Sequence, residues 1–180
     1  EGVSGEERKV RTVWPDGRVL HFTGPKGQER KVRVVFSSGM VWHFTGPKGE
    51  ERKVRIEDGH GHVAHYEDRK GRERLVRIDE LHRGGVSYYE GPKDKERLVR
   101  KEYTDGDVLH FEGATREARL VRRETPNGSV LHFEGAHGEE RLVREEDSND
   151  DVTYYEGSKG EERKVRREEA ATPGIVYFYE

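Results

Sequence analysis

Apolar positions fall into two short clusters that alternate along the chain, each enclosed by charge. One is bounded by arginines, as in Arg97-Leu98-Val99-Arg100. The other is a valine-led run that reaches an aromatic, as in Val108-Leu109-His110-Phe111-Glu112. Neither is long enough for the apolar stripe of a helix, and both alternate at the two-residue period of a strand. The strongest helical competitor, Glu139-Glu140-Arg141-Leu142-Val143-Arg144-Glu145-Glu146, consists mostly of good helix formers. It is short, its neighbours are glycine-rich, and an isolated helix of that length is marginal in water. The pattern therefore predicts about sixteen short strands in an antiparallel meander.

The clusters recur at a fixed period. A first row of arginines stands at Arg8, Arg30, Arg52, Arg74, Arg97, Arg119, Arg141 and Arg163, spaced by 22 residues except for 23 between Arg74 and Arg97. A second row follows three residues after each, from Arg11 to Arg166, with a valine between. The aromatic landmark recurs at Phe22, Phe44, Tyr66, Tyr89, Phe111, Phe133, Tyr155 and Phe178, with Ile175 read as the opening residue of the last copy. From each opening valine to the next first-row arginine is always 11 residues, as in Val19 to Arg30 and Val152 to Arg163. Insertions fall only between an arginine and the next opening residue. The aromatic strand, the loop after it and the next arginine strand therefore read as one rigid unit.

Turn chemistry separates the strands. Asp16-Gly17, Ser38-Gly39, Asp58-Gly59, Asp105-Gly106 and Asn127-Gly128 carry the hairpin signal, read as type I′ turns with positive φ at both central residues. Aromatic strands close on glycine, with Asp68 the exception. Alternation sets Arg97 and Val99 opposite Leu98, Arg100 and Glu102, and sets Val108 and His110 opposite Leu109 and Phe111. Neither face is apolar throughout, which argues against a two-layer sandwich. The expected fold is all-β: one array over residues 1–180 of eight β-hairpin repeats in a single-layer twisted antiparallel sheet. A closed ring or barrel is the alternative. Like strands lie roughly 9.6 Å apart at about 4.8 Å per strand, so Val, Leu or an arginine stem must fill the space between aromatics.

Composition sharpens this. Apolar content is 30% and charged content 39%, a balance that by itself leans toward disorder. Valines and aromatics at fixed places argue instead for a repeat array with a thin core. Lysine and arginine total 34 against 37 acids, a net charge of −3 from which no partner follows. There is no cysteine, hence no disulfide or thiolate site. No apolar run approaches membrane-spanning length, and a cytoplasmic location is expected. The opening Glu1-Gly2 matches the Glu-Gly that ends an aromatic strand, so the chain reads as cut from a longer array or trimmed to a chosen register.

Tyr89-Glu90-Gly91-Pro92-Lys93, Thr104-Asp105-Gly106-Asp107-Val108 and Phe111-Glu112-Gly113 resemble the MORN repeat. The resemblance covers all eight units and implies an elongated single-layer hairpin array that scaffolds proteins or contacts anionic membrane surfaces. The chain departs from that family where Glu-Arg-Leu-Val-Arg stands in place of a Gly-x-Gly strand.

Candidate chemistry is sparse. His60-x-His62-x-x-His65 has ligand-like residues, but alternation points His62 and His65 to opposite faces, and a solvated turn is expected rather than a metal site. The row His21, His43, His65, His110 and His132 reads as a packing ladder. The paired acids Glu6-Glu7, Glu50-Glu51, Glu139-Glu140 and Glu161-Glu162 read as cross-strand charge partners of the repeated arginines. No nucleophile–base or phosphate-loop signature is present, so no catalysis and no cofactor are expected. The candidate binding residues are the first-row arginines and the aromatic row, and arginine and aromatic side chains are expected to alternate along one face as cation–π neighbours. The expected function is a non-enzymatic scaffold with a protein partner. The alternatives are an anion-binding module for phospholipid headgroups or nucleic acid, and an engineered array with no natural partner. Edge-to-edge self-association through the end strands is a further expected contact.

Overall fold

The structure, a computed structural model, describes residues 7–81, 84–172 and 174–180. Glu1-Gly2 and Glu6 lie outside them. Sixteen strands follow in chain order: β1 (Arg11–Val13), β2 (Val19–Thr23), β3 (Arg30–Val35), β4 (Val41–Thr45), β5 (Arg52–Glu57), β6 (His62–Glu67), β7 (Arg74–Glu80) and β8 (Gly85–Glu90). They continue with β9 (Arg97–Tyr103), β10 (Val108–Glu112), β11 (Arg119–Glu124), β12 (Val130–Glu134), β13 (Arg141–Glu146), β14 (Val152–Glu156), β15 (Arg163–Glu168) and β16 (Val176–Phe178). The fold is all-β, and the run at 139–146 that competes for helix contributes β13. No helix of the described residues is long and apolar enough to cross a membrane.

Spatial order equals chain order from β1 to β16, so the sheet is an open array of hairpin repeats and not a closed ring or barrel. Two compact units divide it. The first holds β1–β7 with the loop 91–96, and the second holds β8–β16. Within each unit a strand touches only the strands it is hydrogen-bonded to. Each unit is therefore a single layer with no second sheet over either face, as the mixed polarity of both faces predicts. The core is correspondingly thin. Among the described residues no side chain is fully buried, and the most enclosed are Ser87 at 3% exposure, then Val34, Ser129 and Thr153 at 7%.

A feature absent from simple alternation recurs wherever an aromatic strand meets the next arginine strand. In β2–β3, His21 pairs with Arg33 but Phe22 pairs with Lys31, so Val32 is an extra residue. The same β-bulge follows His43, His65, Tyr88, His110, His132 and Tyr154. The valine between the two arginines is the bulged residue each time. This corrects the face assignment of the arginine strands. Leu98 stands opposite Tyr89 and Arg100 opposite Tyr88, so Leu98 and Arg100 lie on different faces.

The hairpin turns also differ from the type I′ expectation. Phe36 N–H donates to Met40 O at 2.9 Å and Gly39 N–H to Phe36 O at 3.0 Å. Gly39 has φ +86°, whereas Ser38 has no positive φ. This is the three-residue loop built from a type I turn and one left-handed residue. In the third hairpin that residue is Gly61 at φ +88°, not Gly59. The last hairpin is longer than expected: Val176 pairs with Glu168 and Phe178 with Arg166. The register thus gives Phe178 the place His21 has opposite Arg11. Tyr179, whose N–H reaches Val165 O, has the place of Phe22, whose N–H reaches Val10 O. The opening residue of that copy is Val176 rather than Ile175, and its row aromatic is Tyr179 rather than Phe178.

Candidate functional site

The first-row arginines serve the loops between repeats. Arg30 donates to Gly46 O at 3.0 Å, Arg52 to Asp68 O at 3.0 Å, and Arg8, Arg97 and Arg119 reach the equivalent carbonyls of Gly24, Gly113 and Gly135 at 3.2–3.4 Å. Their other neighbour is the acid that ends the preceding aromatic strand: Arg74–Glu67 at 3.3 Å, Arg97–Glu90 at 3.8 Å, Arg119–Glu112 at 3.3 Å and Arg141–Glu134 at 3.5 Å. Arg163 is exposed and stands opposite Glu156. A hollow of about 630 Å³ between the loops at 46–50 and 68–70 holds Arg52, Arg69 and Lys70, but also Glu50 and Asp68.

The glutamate before a first-row arginine, at Glu29, Glu51, Glu73, Glu140 and Glu162, has a different task from the charge pairing expected of it. It accepts backbone N–H groups from two directions. Glu51 takes Gly49 N–H at 3.1 Å from its own loop and Lys31 N–H at 3.3 Å from the preceding repeat. Glu162 does the same with Gly160 at 2.8 Å and Leu142 at 3.2 Å. Burial pushes the Glu51 carboxyl up, but the N–H groups of Glu51, Gly49 and Lys31 outweigh it and hold it below the usual range. Ala118 breaks the series, since it brings no acceptor to the loop or to the preceding repeat. Ala118→Glu is expected to stabilise the chain by about 1 kcal/mol, the net scale of one hydrogen bond. That corresponds to roughly 2–4 °C in the melting midpoint at this length. A thermal melt with an unchanged or lower midpoint refutes it.

The cation beside the aromatic row is lysine, not first-row arginine. Lys9 lies 4.3 Å from the centre of Phe22, Lys31 3.9 Å from Phe44 and Lys53 4.1 Å from Tyr66. Burial lowers the Lys53 ammonium and raises the Tyr66 phenol. Farther along, leucine takes the lysine's position: Leu98, Leu120 and Leu142 stand opposite Tyr89, Phe111 and Phe133, and Lys164 opposite Tyr155. The expected alternation of arginines with the aromatic row is therefore corrected, because first-row guanidiniums are drawn off to the loop carbonyls. The second-row Arg100 and Arg166 do lie over rings, 5.6 and 5.2 Å from Tyr88 and Tyr154, but on the opposite face.

This aromatic face differs between the two units. In the first, its central row is Val34, Ile56 and Ile78, interleaved with Leu20, Trp42 and Ala64. Trp42 stacks obliquely on Phe36 at 4.9 Å and approaches Phe44 at 6.5 Å. In the second, the same row is Lys101, Arg123, Glu145 and Arg167. Those charges are tied in place: Arg123 to Asp107 at 2.5 Å, Arg167 to Asp151 at 2.7 Å, and Tyr155 Oη to Glu145 at 2.5 Å. Burial first, then the Glu145 carboxylate, raises the Tyr155 phenol.

The opposite face carries a ladder that replaces the expected packing row. His43 Nε2 meets Glu57 at 2.8 Å, and Arg55 meets the same carboxylate at 3.3 Å. His110 and Arg122 share Glu124 at 2.8 and 2.6 Å, and His132 and Arg144 share Glu146 at 2.9 and 2.5 Å. His65 and Arg77 share Asp79, and Tyr88 and Arg100 share Glu102. The second-row arginine is thus the partner of this ladder. Hydrogen bonds from His110 and His132, with the arginine charge behind them, hold Glu124 and Glu146 below the usual carboxylate range. The spacing of 14 residues from histidine to acid is legible in the chain, as is the valine that interrupts it at Val35, 14 residues after His21.

The His60-His62-His65 group is not brought together. His62 Nδ1 lies 2.8 Å from Asp58, while His65 Nε2 lies 3.0 Å from Asp79. Asp58 also accepts the His60 and His62 N–H groups, and the latter leads in pulling its carboxyl down to about 2. Comparison with protein-family models and with curated proteins finds no match, so the site is read from its geometry.

Proposed function

We propose that the chain is a non-enzymatic scaffold of MORN-like hairpin repeats that holds partner proteins on its aromatic face. The carrying observation is the face of the first unit. Val34, Trp42, Ile56 and Ile78 form an apolar row there, and no strand of the unit packs over it. Val34 is buried among its neighbours, while Trp42, Ile56 and Ile78 are half-buried and keep part of their surface open. Contiguous accessible apolar surface rimmed by polar residues is the signature of a protein-contact site. The first-row guanidiniums are committed to loop carbonyls and acids, which favours protein contact over phosphate or nucleic-acid binding.

The test is selection of a displayed random-peptide library on the intact chain. Enriched peptides are expected to bind Trp42→Ser and Ile56→Ser variants at least about tenfold more weakly, as truncation of an interface anchor requires. Equal binding to both variants defeats the reading. So does failure to enrich any peptide while an oligothymidylate binds with steep salt dependence, the behaviour of a phosphate site.

A further inference from the structure

The apolar row of the first unit has one interruption. On the aromatic face, Trp42 fits between Val34 and Ile56, because it stands opposite both in the register. One repeat later, Ala64 stands in the same way between Ile56 and Ile78. The walls are kept and slightly enlarged, and the large side chain between them is gone. The result is a hollow of about 320 Å³ with Ala64 as its floor, Ile56 and Ile78 as its walls, and Asp58, His62 and Glu80 along one rim.

The repeat itself shows what fits such a place. At position 42 the occupant is an indole, and its Nε1–H points to Met40 Sδ at 2.9 Å. The residue equivalent to Met40 beside Ala64 is His62, which likewise precedes the opening valine of its strand. His62 Nδ1 lies 2.8 Å from an Asp58 oxygen. A carboxylate only accepts, so in the neutral imidazole the proton sits on Nδ1 and Nε2 is left as an acceptor. It is a stronger acceptor than the thioether it replaces.

We infer that the hollow over Ala64 is an anchor pocket for a tryptophan side chain presented by a partner protein, its ring between Ile56 and Ile78 and its N–H donated to His62 Nε2. The pocket rests on the reading of this face as a protein-contact surface and names the chemistry of the contact. Tryptophan is also, with tyrosine and arginine, among the residue types that dominate interface energetics.

The probe is N-acetyl-tryptophanamide, titrated into the isotopically labelled chain and followed by amide chemical shifts. Saturable shifts at Ile56, His62, Ala64 and Ile78 are expected. The 1-methyl-indole analogue, which lacks the donor, is expected to bind at least about threefold more weakly, the fold-change of a modest hydrogen bond. Filling the pocket from within must abolish the shifts. Ala64→Trp restores the residue found at 42, and Ala64→Leu restores the one found at 20, 109 and 131, so at least one filled variant is compatible with the sheet. Both are expected to bind the probe at least tenfold more weakly. No saturable shift at those four residues, or undiminished binding by a folded filled variant, overturns the pocket. If display-selected peptides then still depend on Trp42 and Ile56, the scaffold reading survives while this inference falls.

Discussion

Gly135→Ala is expected to destabilise the chain by about 3 kcal/mol or more, whereas Gly138→Ala, three residues on in the same loop, is expected to cost about 1 kcal/mol. Both glycines have positive φ, +124° and +83°. The difference lies in what a methyl group meets. At Gly138 there is nothing within 4 Å, so the cost is that of a left-handed residue alone. At Gly135 an added Cβ would lie 2.3 Å from Glu139 O and 3.2 Å from Glu140 Cα, both backbone atoms. The loop must open, and opening it withdraws Gly135 O from Arg119, 3.2 Å away. It also shifts Glu140, whose carboxylate takes the Leu120 N–H of the preceding repeat. A contact between neighbouring repeats is therefore lost along with the local strain. Denaturant unfolding of the two variants side by side decides it, and equal losses would mean the close approach at Gly135 has no energetic weight. The third loop shows the contrast in the native chain. It has Asp68 at the equivalent place with φ +78°, a value a side chain tolerates, in place of the +109° to +124° of its glycine counterparts.

That glycine was legible as punctuation in the sequence, and so were the strands, their antiparallel order and the rigidity of the aromatic strand–loop–arginine strand unit. Each of these leaves a mark at a fixed spacing. What stayed hidden is equally regular. The bulge at Val32, Val54 and their equivalents is present in every copy, so comparing copies cannot reveal an extra residue, and plain alternation then misplaces everything before it. The tasks of Arg30 and Glu51 were misread because both groups bind backbone carbonyls and amides, which carry no sequence signal. The sharing of Glu124 by His110 and Arg122 had a signal, a 14-residue spacing broken only where valine replaces the acid, but it joins two strands whose facing residues are known only once the bulge is placed. The tryptophan-shaped gap at Ala64 is visible in the letters as Leu20, Trp42, Ala64, yet it becomes a pocket only when Ile56 and Ile78 are known to flank it.

Stability is expected to fall steadily as pH is lowered from about 5 toward 2, because the inter-repeat contacts are made by carboxylates held in the ionised state. Two families contribute. In the loops, Glu29, Glu51, Glu73, Glu140 and Glu162 accept backbone N–H groups and lie below their ordinary range. On the ladder face, Glu124 and Glu146 are lowered chiefly by His110 and His132, and Asp79 by Arg77 and His65 against the opposing effect of burial. Asp58 reaches about 2. A carboxyl whose folded value is depressed binds its proton more readily in the unfolded chain. Its contribution is complete above the unfolded value, near 4, and disappears as pH falls through the folded one. Because the same acids recur in successive repeats and the core is thin, little apolar burial remains to hold the sheet once they are protonated. Thermal melts across this range should show a midpoint that drops with each step, and the slope should be shallower in a variant carrying Glu124→Gln and Glu146→Gln. A midpoint that is flat down to pH of about 3, or a slope untouched by the two substitutions, would shift the stability of the array from its carboxylates to its valine and aromatic rows. The loop glutamates are the stricter half of the test. Glutamine keeps an acceptor for the Lys31 and Leu142 amides but carries no charge to titrate, so Glu51→Gln and Glu162→Gln should flatten the pH dependence further while leaving the neutral-pH fold intact.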